Sequence, residues 1–468
     1  MTQSYRLLID GTLVEGDLSL DVINPATGAL FCTVPRASPA QAQAAIKAAK
    51  RVHPAWAALP AAKRGAMLNA FADAITARTD EIAHVLVQEQ GKPLAQAKGE
   101  VAYAAYFVRH FAGQTLAPKL LQDDGTYRIE LHHKPLGVVA GITPWNFPFL
   151  MPIGKLAPAL AAGNCFILKP APTTPVVALL IAEMAAGIFP AGVVSVLVDD
   201  NDLGPVLTSH PDIAKVSFTG STPTGRKVME SAATTLKRLT LELGGNDAAI
   251  VLEDADVAKS AKGIASAAFM NAGQVCIAVK RAYVHDSIYD AMCAALVEEA
   301  SAMHTGNGLE QGVTMGPIQN RAQFDKARHY LEVAHQDGKV IAGGEANAEG
   351  GFFVQPTVVR DIADGSPLVD EEQFSPILPV IRFSDVDSVV EKANASDFGL
   401  GASVWSTNID RASELAQRIE SGTVWINHAS HLTPAIPFGG AKQSGVGMEY
   451  GEEGLVEYTQ RIVISTRQ

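Results

Sequence analysis

Cys276 lies in NAGQVCIA, residues 271 to 278, between a polar, glycine-bearing turn and two apolar residues. Two other short stretches carry groups that could work with a thiol. TPWNFP, 143 to 148, holds the side-chain amide of Asn146, and LELGGNDAAIV, 241 to 251, holds the carboxylate of Glu242. Each alone has a plain structural meaning, since a lone cysteine is usually core, a Gly-Gly pair a turn and a Trp-Asn-Phe run packing. Together they supply a nucleophile, a base and an oxyanion donor at loop positions beside strand ends, the parts for acyl chemistry through a thioester. A free thiol of pKa about 8.5 is mostly protonated at neutral pH, so a nearby base or dipole has to generate the thiolate.

The elements that position these groups follow from the hydrophobic rhythm. A short strand pair around YRLLIDGTLVEG precedes alanine-rich amphipathic helices from about Ser38 to Ala112. From Gly137 onward the strand-like runs GVVAGI, NCFILK, VVSVLV, AKVSF and RLTLEL alternate with segments of helical length. A second alternation after Asp256 has RAYVHD, KVIAG, LPVIRF, GASVWS and TVWIN as strands. Both patterns predict parallel sheets covered by helices on both faces. KLLQDDGTYRIELHHKP, 119 to 135, fits neither rhythm and predicts a hairpin, either protruding toward another subunit or packed on its own domain.

In open α/β sheets, ligands sit at the carboxyl ends of strands, where helix N-termini offer free N–H groups. Two such junctions are chemically loaded. NCFILK ends in Lys169, followed by PAPTTP, whose prolines stop the strand and whose threonines can cap the next helix. AKVSF runs into TGSTPTG, 219 to 225, where Gly220 permits close backbone approach and Ser221 or Thr222 can cap a helix. Neither is a standard fingerprint, since no G-x-G-x-x-G opens the first βα turn and GSTPTGRK lacks the Gly-Lys-Ser/Thr of a P-loop.

Composition limits the function classes. A chain of 468 residues, 47% hydrophobic and 18% charged, is globular and long enough for roughly two to three domains. The formal charge of −12 argues against a nucleic-acid or anionic-membrane partner. The cysteines at 32, 165, 276 and 293 form no C-x-x-C pair and no zinc spacing, so reduced thiols and no metal site are expected. MTQSYRLLIDG lacks the pattern of a secretory signal, and a cytoplasmic protein is expected. The apolar run 176 to 198 is broken by Gly187, Pro190 and Gly192, so it reads as a buried helix and a strand.

The three motifs, with LKPA, FTGST, EEQFSP (371 to 376) and PFGGAKQSGVGMEYGEEGL (437 to 455), resemble in order and over nearly the whole chain the NAD(P)-dependent aldehyde dehydrogenases. The resemblance implies two parallel-sheet α/β domains, a Rossmann-type cofactor domain (1–116 and 136–245) and a catalytic domain (246–436). It also implies a β-hairpin oligomerisation arm (117–135 with 456–468) and a segment, 437–455, that returns to the cofactor domain or the domain interface. It implies Cys276 as the nucleophile that forms a thiohemiacetal and then a thioester, Asn146 as an oxyanion donor with the Cys276 N–H, and Glu242 as general base. Lys169 matches a ribose-binding lysine and is counted with the catalytic residues. Ser221 matches the pyrophosphate contact, and Glu372 with Phe374 the position holding the nicotinamide ribose, although Ser375 stands where glycine is more usual.

The rest of the implied cofactor cleft is Ile142, Thr143, Pro144, Trp145, Pro172, Gly204, Phe218, Thr219, Gly220, Thr224, Leu243 and Gly244. Pro172 stands where many NAD-preferring members carry a ribose-binding glutamate, so NAD and NADP are both expected, NAD slightly favoured, with modest discrimination. The implied substrate pocket is Phe147, Met151, Gly154, Val275, Ile277, Leu432 and Phe438. Gly154 occupies a helix position where members acting on carboxylate-tailed semialdehydes often have arginine and those acting on small aldehydes a bulky aromatic. A glycine facing the tunnel predicts room for medium-chain or aromatic aldehydes, with a semialdehyde dehydrogenase of the succinic type as the alternative. A CoA-acylating enzyme would not need Glu242, a thiol hydrolase would want a histidine partner for Cys276, and a non-catalytic relative would not need the intact trio. A homodimer or homotetramer is expected.

Overall fold

The computed structural model describes residues 5–468, so the first four residues of segment 1–116 and of MTQSYRLLIDG lie outside the described residues. The first sheet runs, in spatial order, Thr12–Val14, Leu7–Ile9, Val194–Val196, Cys165–Lys169, Val138–Ile142, Ile213–Thr219, Arg238–Glu242 and Gly445–Val446. Its five central strands are parallel, and antiparallel strands close both edges. The strand order reverses between Val138–Ile142 and Ile213–Thr219, the place where a doubly wound sheet opens a ligand crevice. All five strands expected in this half are present.

The second sheet runs Lys339–Ala342, Thr357–Arg360, Ile377–Phe383, Val279–His285, Asp247–Val251, Gly401–Trp405 and Thr423–Ile426, parallel except for the first. Asp247–Val251 is buried throughout and was not among the expected strands. Only Leu243–Asn246 separates it from Arg238–Glu242, so LELGGNDAAIV is two strands in two sheets joined by a four-residue crossing. Ser444 fixes that crossing. Its N-terminal side is held by Leu243 N–H donating to Ser444 O at 2.8 Å, and its glycines by Ser444 Oγ donating to Gly244 O at 2.6 Å.

The hairpin Lys119–Asp123 with Tyr127–Pro135 forms as expected. The C-terminal strand Thr459–Arg467 adds to it, antiparallel, from Thr459 opposite Pro135 to Arg467 opposite Tyr127. The run 176 to 198 resolves into the helix Val176–Ala186 and the strand Val194–Val196, and among the described residues no helix is long and apolar enough to cross a membrane. A second N-terminal hairpin, Leu18–Ile23 with Leu30–Arg36, was not anticipated.

The cap of helix Val176–Ala186 differs from expectation. Its N-terminus follows Pro175, and no local side chain caps it. Instead the wholly buried Glu89, from helix Thr79–Gln90, accepts from Val176 N–H at 2.7 Å and Val177 N–H at 2.9 Å. Burial pushes the Glu89 carboxyl up to about 8 against the two amides that stabilise its charge. Leaving these buried N–H groups without an acceptor in Glu89→Ala should cost about 2 kcal/mol or more, whereas Thr173→Ala should stay within about 0.5 kcal/mol. Denaturant melts of the two variants check this, and an equal loss for Thr173→Ala would return the cap to the threonines.

Candidate active site

A cavity of about 610 Å³ opens at the strand-order reversal. The first sheet contributes Pro144 to Phe147 after one strand, Thr219 to Ser221 after another, and Leu243 with Gly244 after a third. The second domain contributes Val275 to Ile277, Glu372 and Phe374. Asn146 and Cys276 therefore face one space although 130 residues of sequence part them. Val275 and Ile277 pack in the first sheet's core, which clamps the nucleophile loop against the cofactor-side domain.

The loop reaches this place through three consecutive left-handed residues after helix Val257–Phe269, namely Asn271 (φ 51°), Ala272 (φ 55°) and Gly273 (φ 71°). The two that are not glycine cost roughly 1 to 2 kcal/mol each, and Asn271 makes the bonds that hold them. Its Oδ1 accepts from Gln90 Nε2 at 3.0 Å, and its Nδ2 donates to Asn146 O at 3.0 Å. Asn146 answers by donating Nδ2 to Gln274 O at 2.9 Å. One amide proton of Asn146 is thus engaged and the other is free for a ligand oxygen. The Cys276 N–H has no acceptor among the described residues.

Beneath Asn146 lies a buried ion pair that sequence reasoning missed. Lys92 Nζ is 2.5 Å from Glu100 Oε2 and donates to Asn146 O at 3.0 Å. Glu100 Oε1 accepts from the Phe149 and Leu150 N–H groups, both at 3.0 Å, and so caps helix Leu150–Ala161. The pair fixes the backbone on both sides of the amide. Its only signal in the sequence was two charges, in EQGKPLAQAKGE, on what was taken for an ordinary amphipathic helix.

The Cys276 thiol is pushed up to about 12, first by burial, with the Glu242, Asp247 and Glu372 carboxylates adding and the Lys280 ammonium opposing. Lys280 Nζ donates to Val275 O at 2.8 Å and Cys276 O at 2.9 Å. Glu242 is buried outside the cavity lining, neither carboxyl oxygen has a hydrogen-bond partner among the described residues, and burial followed by the Glu449 charge holds it well above the carboxylate range, with Lys155 opposing. Lys155 itself pairs with Glu449 and donates to Ser217 Oγ at 3.1 Å. The resting site therefore favours the neutral thiol and the neutral carboxyl, and Glu242 has to ionise before it can take a proton.

The cofactor-side residues fit a polar, extended ligand. Ser221 stands at the start of helix Thr222–Ala233 but its hydroxyl donates to Thr224 Oγ1 at 3.0 Å and does not cap, so the helix N–H groups face outward unclaimed. Thr143 Oγ1 and Thr219 Oγ1 are buried without partners. Glu372 Oε1 accepts from Gly245 N–H at 3.0 Å; a Cβ on Gly244 would displace the Glu372 carboxylate, 2.5 Å away, and one on Gly245 would lie 2.5 Å from the Cys276 backbone oxygen. Trp145 and Phe374 meet edge to face at 5.5 Å and frame the deep end. The left-handed residue in that loop is Phe374 (φ 51°), not Ser375, which is why serine is accommodated.

Ile142 and Phe218 are buried strand-end residues behind the cleft, while Lys169, Pro172 and Gly204 lie farther along the same sheet edge, outside the cavity lining. Of the expected substrate residues, Phe147, Met151, Val275, Ile277 and Leu432 line the cavity. Gly154 and Phe438 do not. A Cβ on Gly154 would meet the Tyr450 ring and hydroxyl at 3.2 Å, and Phe438 is buried and stacked on the same ring at 6.4 Å. Tyr450 fills the space assigned to an open tunnel. The walls also include Leu150, Met270 and Tyr103, which were not among the expected pocket residues.

A family model described as "Aldehyde dehydrogenase family" matches residues 13–464. Aldehyde dehydrogenase LUC3 of a Fusarium species is 42% identical over 460 residues, 98% of this chain and 97% of the relative. The NADP(+) succinate-semialdehyde dehydrogenase GabD of Escherichia coli K12 is 40% identical over 464 residues, 97% and 96% of the two chains. The NAD+ complex of an aldehyde dehydrogenase from Bacillus cereus superposes with a TM-score of 0.97 at 35% identity, covering 99% of this chain and 97% of that one.

Below its pKa of about 12 a thiol gains roughly tenfold more thiolate per pH unit. Alkylation of Cys276 by iodoacetamide in the ligand-free protein, followed by peptide mass spectrometry, should therefore rise nearly tenfold per unit from pH 7 to 9.5. A plateau below pH 9 would contradict the raised pKa of this half-buried thiol among carboxylates.

Proposed function

The chain belongs to the aldehyde dehydrogenase family, and it is an NAD(P)-dependent enzyme of that family; on this premise we propose that it oxidises apolar aldehydes, medium-chain or aromatic, to carboxylic acids. The observation that carries the substrate class is the wall around Cys276. Phe147, Leu150, Met151, Met270 and Leu432 are apolar, and no arginine lines the cavity among the described residues. Lys92 and Lys326 line it too, but Lys92 is matched by Glu100, and Lys326 donates its Nζ to Glu372 O at 2.7 Å, at the Glu372 and Phe374 loop, with burial lowering its pKa. A carboxylate tail would be desolvated there without a partner. His431 reaches the lining and His428 sits beside it at 6.0 Å, but burial and that neighbour lower the His428 pKa, which weakens His428 as an anion partner near neutral pH.

In the proposed mechanism Glu242 takes the Cys276 proton and the sulfur attacks the aldehyde carbon. Asn146 Nδ2 and the Cys276 N–H receive the oxyanion of the resulting thiohemiacetal. A bound nicotinamide supplies the hydride acceptor. Residues that would hold the cofactor are Ser221 and the N-terminus of its helix at the pyrophosphate, Lys169 at one ribose and Glu372 at the other. Once Glu242 has given up that first proton to solvent, a water attacks the thioester carbon and passes a proton to Glu242, and the C–S bond breaks to release the carboxylic acid and return the Cys276 sulfur, reprotonated from Glu242. Four free thiols support a reducing, cytoplasmic setting. Exposed Leu120, Leu121, Val463 and Ile464 on the three-stranded sheet support a homodimer or homotetramer built through that arm.

Each methylene buried against the wall is worth about 0.8 kcal/mol, roughly fourfold in kcat/KM. The specificity constant should climb from acetaldehyde to hexanal, and both hexanal and benzaldehyde should exceed succinic semialdehyde. The reverse order would replace the apolar reading by a semialdehyde one, with His431 as the anchor to examine. Asn146→Ala should lower kcat about a hundred- to a thousandfold. Glu242→Gln should leave a thioester detectable by mass on Cys276, and unchanged turnover in that variant would remove Glu242 from the mechanism.

A further inference from the structure

Relatives of similar identity include one named for NADP(+) and one solved with NAD+, so family membership leaves the cofactor open. Pro172 removes the carboxylate expected beside the adenosine ribose, which from sequence alone predicts weak discrimination. The structure supplies a carboxylate from another loop. Asp199 follows the strand Val194–Val196, whose neighbour in the sheet is Cys165–Lys169, and its Oδ1 lies 2.7 Å from Lys169 Nζ. Asp199 is wholly buried and Lys169 is 4% exposed. Asp199 Oδ2 is fixed by the Leu203 N–H at 3.0 Å, and Oδ1 has no hydrogen-bond partner besides that ammonium among the described residues.

Lys169 stands at the carboxyl edge of the sheet two strands from Ile213–Thr219, whose end leads to Ser221. Strands are spaced by about 4.8 Å, so the lysine lies roughly 10 Å along the edge from the candidate pyrophosphate site, a gap that a ribose and a lysine side chain together span. A 2′-phosphate placed there would need an uncompensated cation. Lys169 is already neutralised by a buried carboxylate, and the turn carries further negative charge in Asp200 and Asp202, the latter paired with Arg36 at 2.7 Å. Ribose hydroxyls make no such demand, because the ammonium keeps N–H donors to offer them.

Resting on the dehydrogenase reading for its ligand, we propose that Asp199 sets the cofactor preference, acting through Lys169 to favour NAD and to exclude the 2′-phosphate of NADP. Asp199 is buried behind the lysine and is a specificity-determining residue, not one that touches the reacting atoms. Replacing it with asparagine keeps the shape and the Leu203 contact but leaves Lys169 with its charge unmatched, open to a phosphate.

Two measurements test this. Titration calorimetry of the purified protein compares AMP with adenosine 2′,5′-bisphosphate, and steady-state kinetics compares kcat/KM for NAD and NADP with one aldehyde. The wild type should favour NAD and AMP by about a hundredfold or more, and Asp199→Asn should narrow both ratios by about tenfold or more, chiefly through tighter binding of the 2′-phosphate ligand. Wild-type ratios within about tenfold would overturn the proposal whether or not the variant folds, as would a variant that weakens both ligands equally. Discrimination between the two adenosine ligands in a protein that oxidises no aldehyde would uphold the role of Asp199 and defeat the dehydrogenase reading instead.

Discussion

Two amide side chains, each donating to the backbone of the other's loop, tie the halves of this molecule together at the point where chemistry is done. Asn271 Nδ2 holds Asn146 O, and Asn146 Nδ2 holds Gln274 O. One loop leaves the first sheet after Val138–Ile142, and the other precedes the strand Val279–His285 of the second. Neither sheet alone can define where the thiol stands relative to the oxyanion donor. The reciprocal bonds do, and the left-handed turn at Asn271 to Gly273 is the backbone strain they sustain. Lys92 and Glu100 extend the same constraint downward by fixing Asn146 O and the N-terminus of the next helix. Rigidity here is what allows a single free amide proton to be aimed at a carbonyl oxygen.

The electrostatics around this joint favour neutral forms at rest. Burial raises both the thiol and Glu242, the Glu242 charge raises the thiol further, and the Glu449 charge raises Glu242, because anions in one dry space repel. In the proposed mechanism Glu242 has to lose its own proton first, and transfer from sulfur to that carboxylate then leaves one negative charge in place of another. The neutral resting form explains how a carboxyl with no hydrogen-bond partner among the described residues can be retained in a core.

Much of the architecture was legible because parallel buried strands read as short apolar runs between helical segments, as in NCFILK and LPVIRF. Asp247–Val251 escaped because only four residues separate it from the strand before, too few for the usual crossover helix, since the chain is changing sheets and not returning to one. The thiol, amide and carboxylate stretches were legible as a set of motifs, and Asn146 and Cys276 do line one cavity, but what supports them was not legible. Glu89 replaces the threonines as a helix cap from a distant helix, and Lys92 with Glu100 looks like solvated charge until burial is known. Gly154 misled for a general reason. A missing side chain shows that something occupies the space, and only the fold shows that the occupant is Tyr450 and not a substrate.

The lysines around the cleft divide by what neutralises them, and this division links reactivity to selectivity. Lys92, Lys155 and Lys169 are each paired with a buried carboxylate, so they position backbone and side chains without presenting a net charge to a ligand. Lys280 differs, since its recorded hydrogen bonds are to carbonyl oxygens of the nucleophile loop, and its charge acts on the thiol. A negative tail on an aldehyde, or a second phosphate on a cofactor, would find the paired lysines closed to it, while a thiolate forming at Cys276 would still feel Lys280. The same low-dielectric interior that makes an unpaired anion costly thus disfavours charged competitors at the paired lysines, while the Lys280 charge acts on both the sulfur and the Asp247 carboxylate.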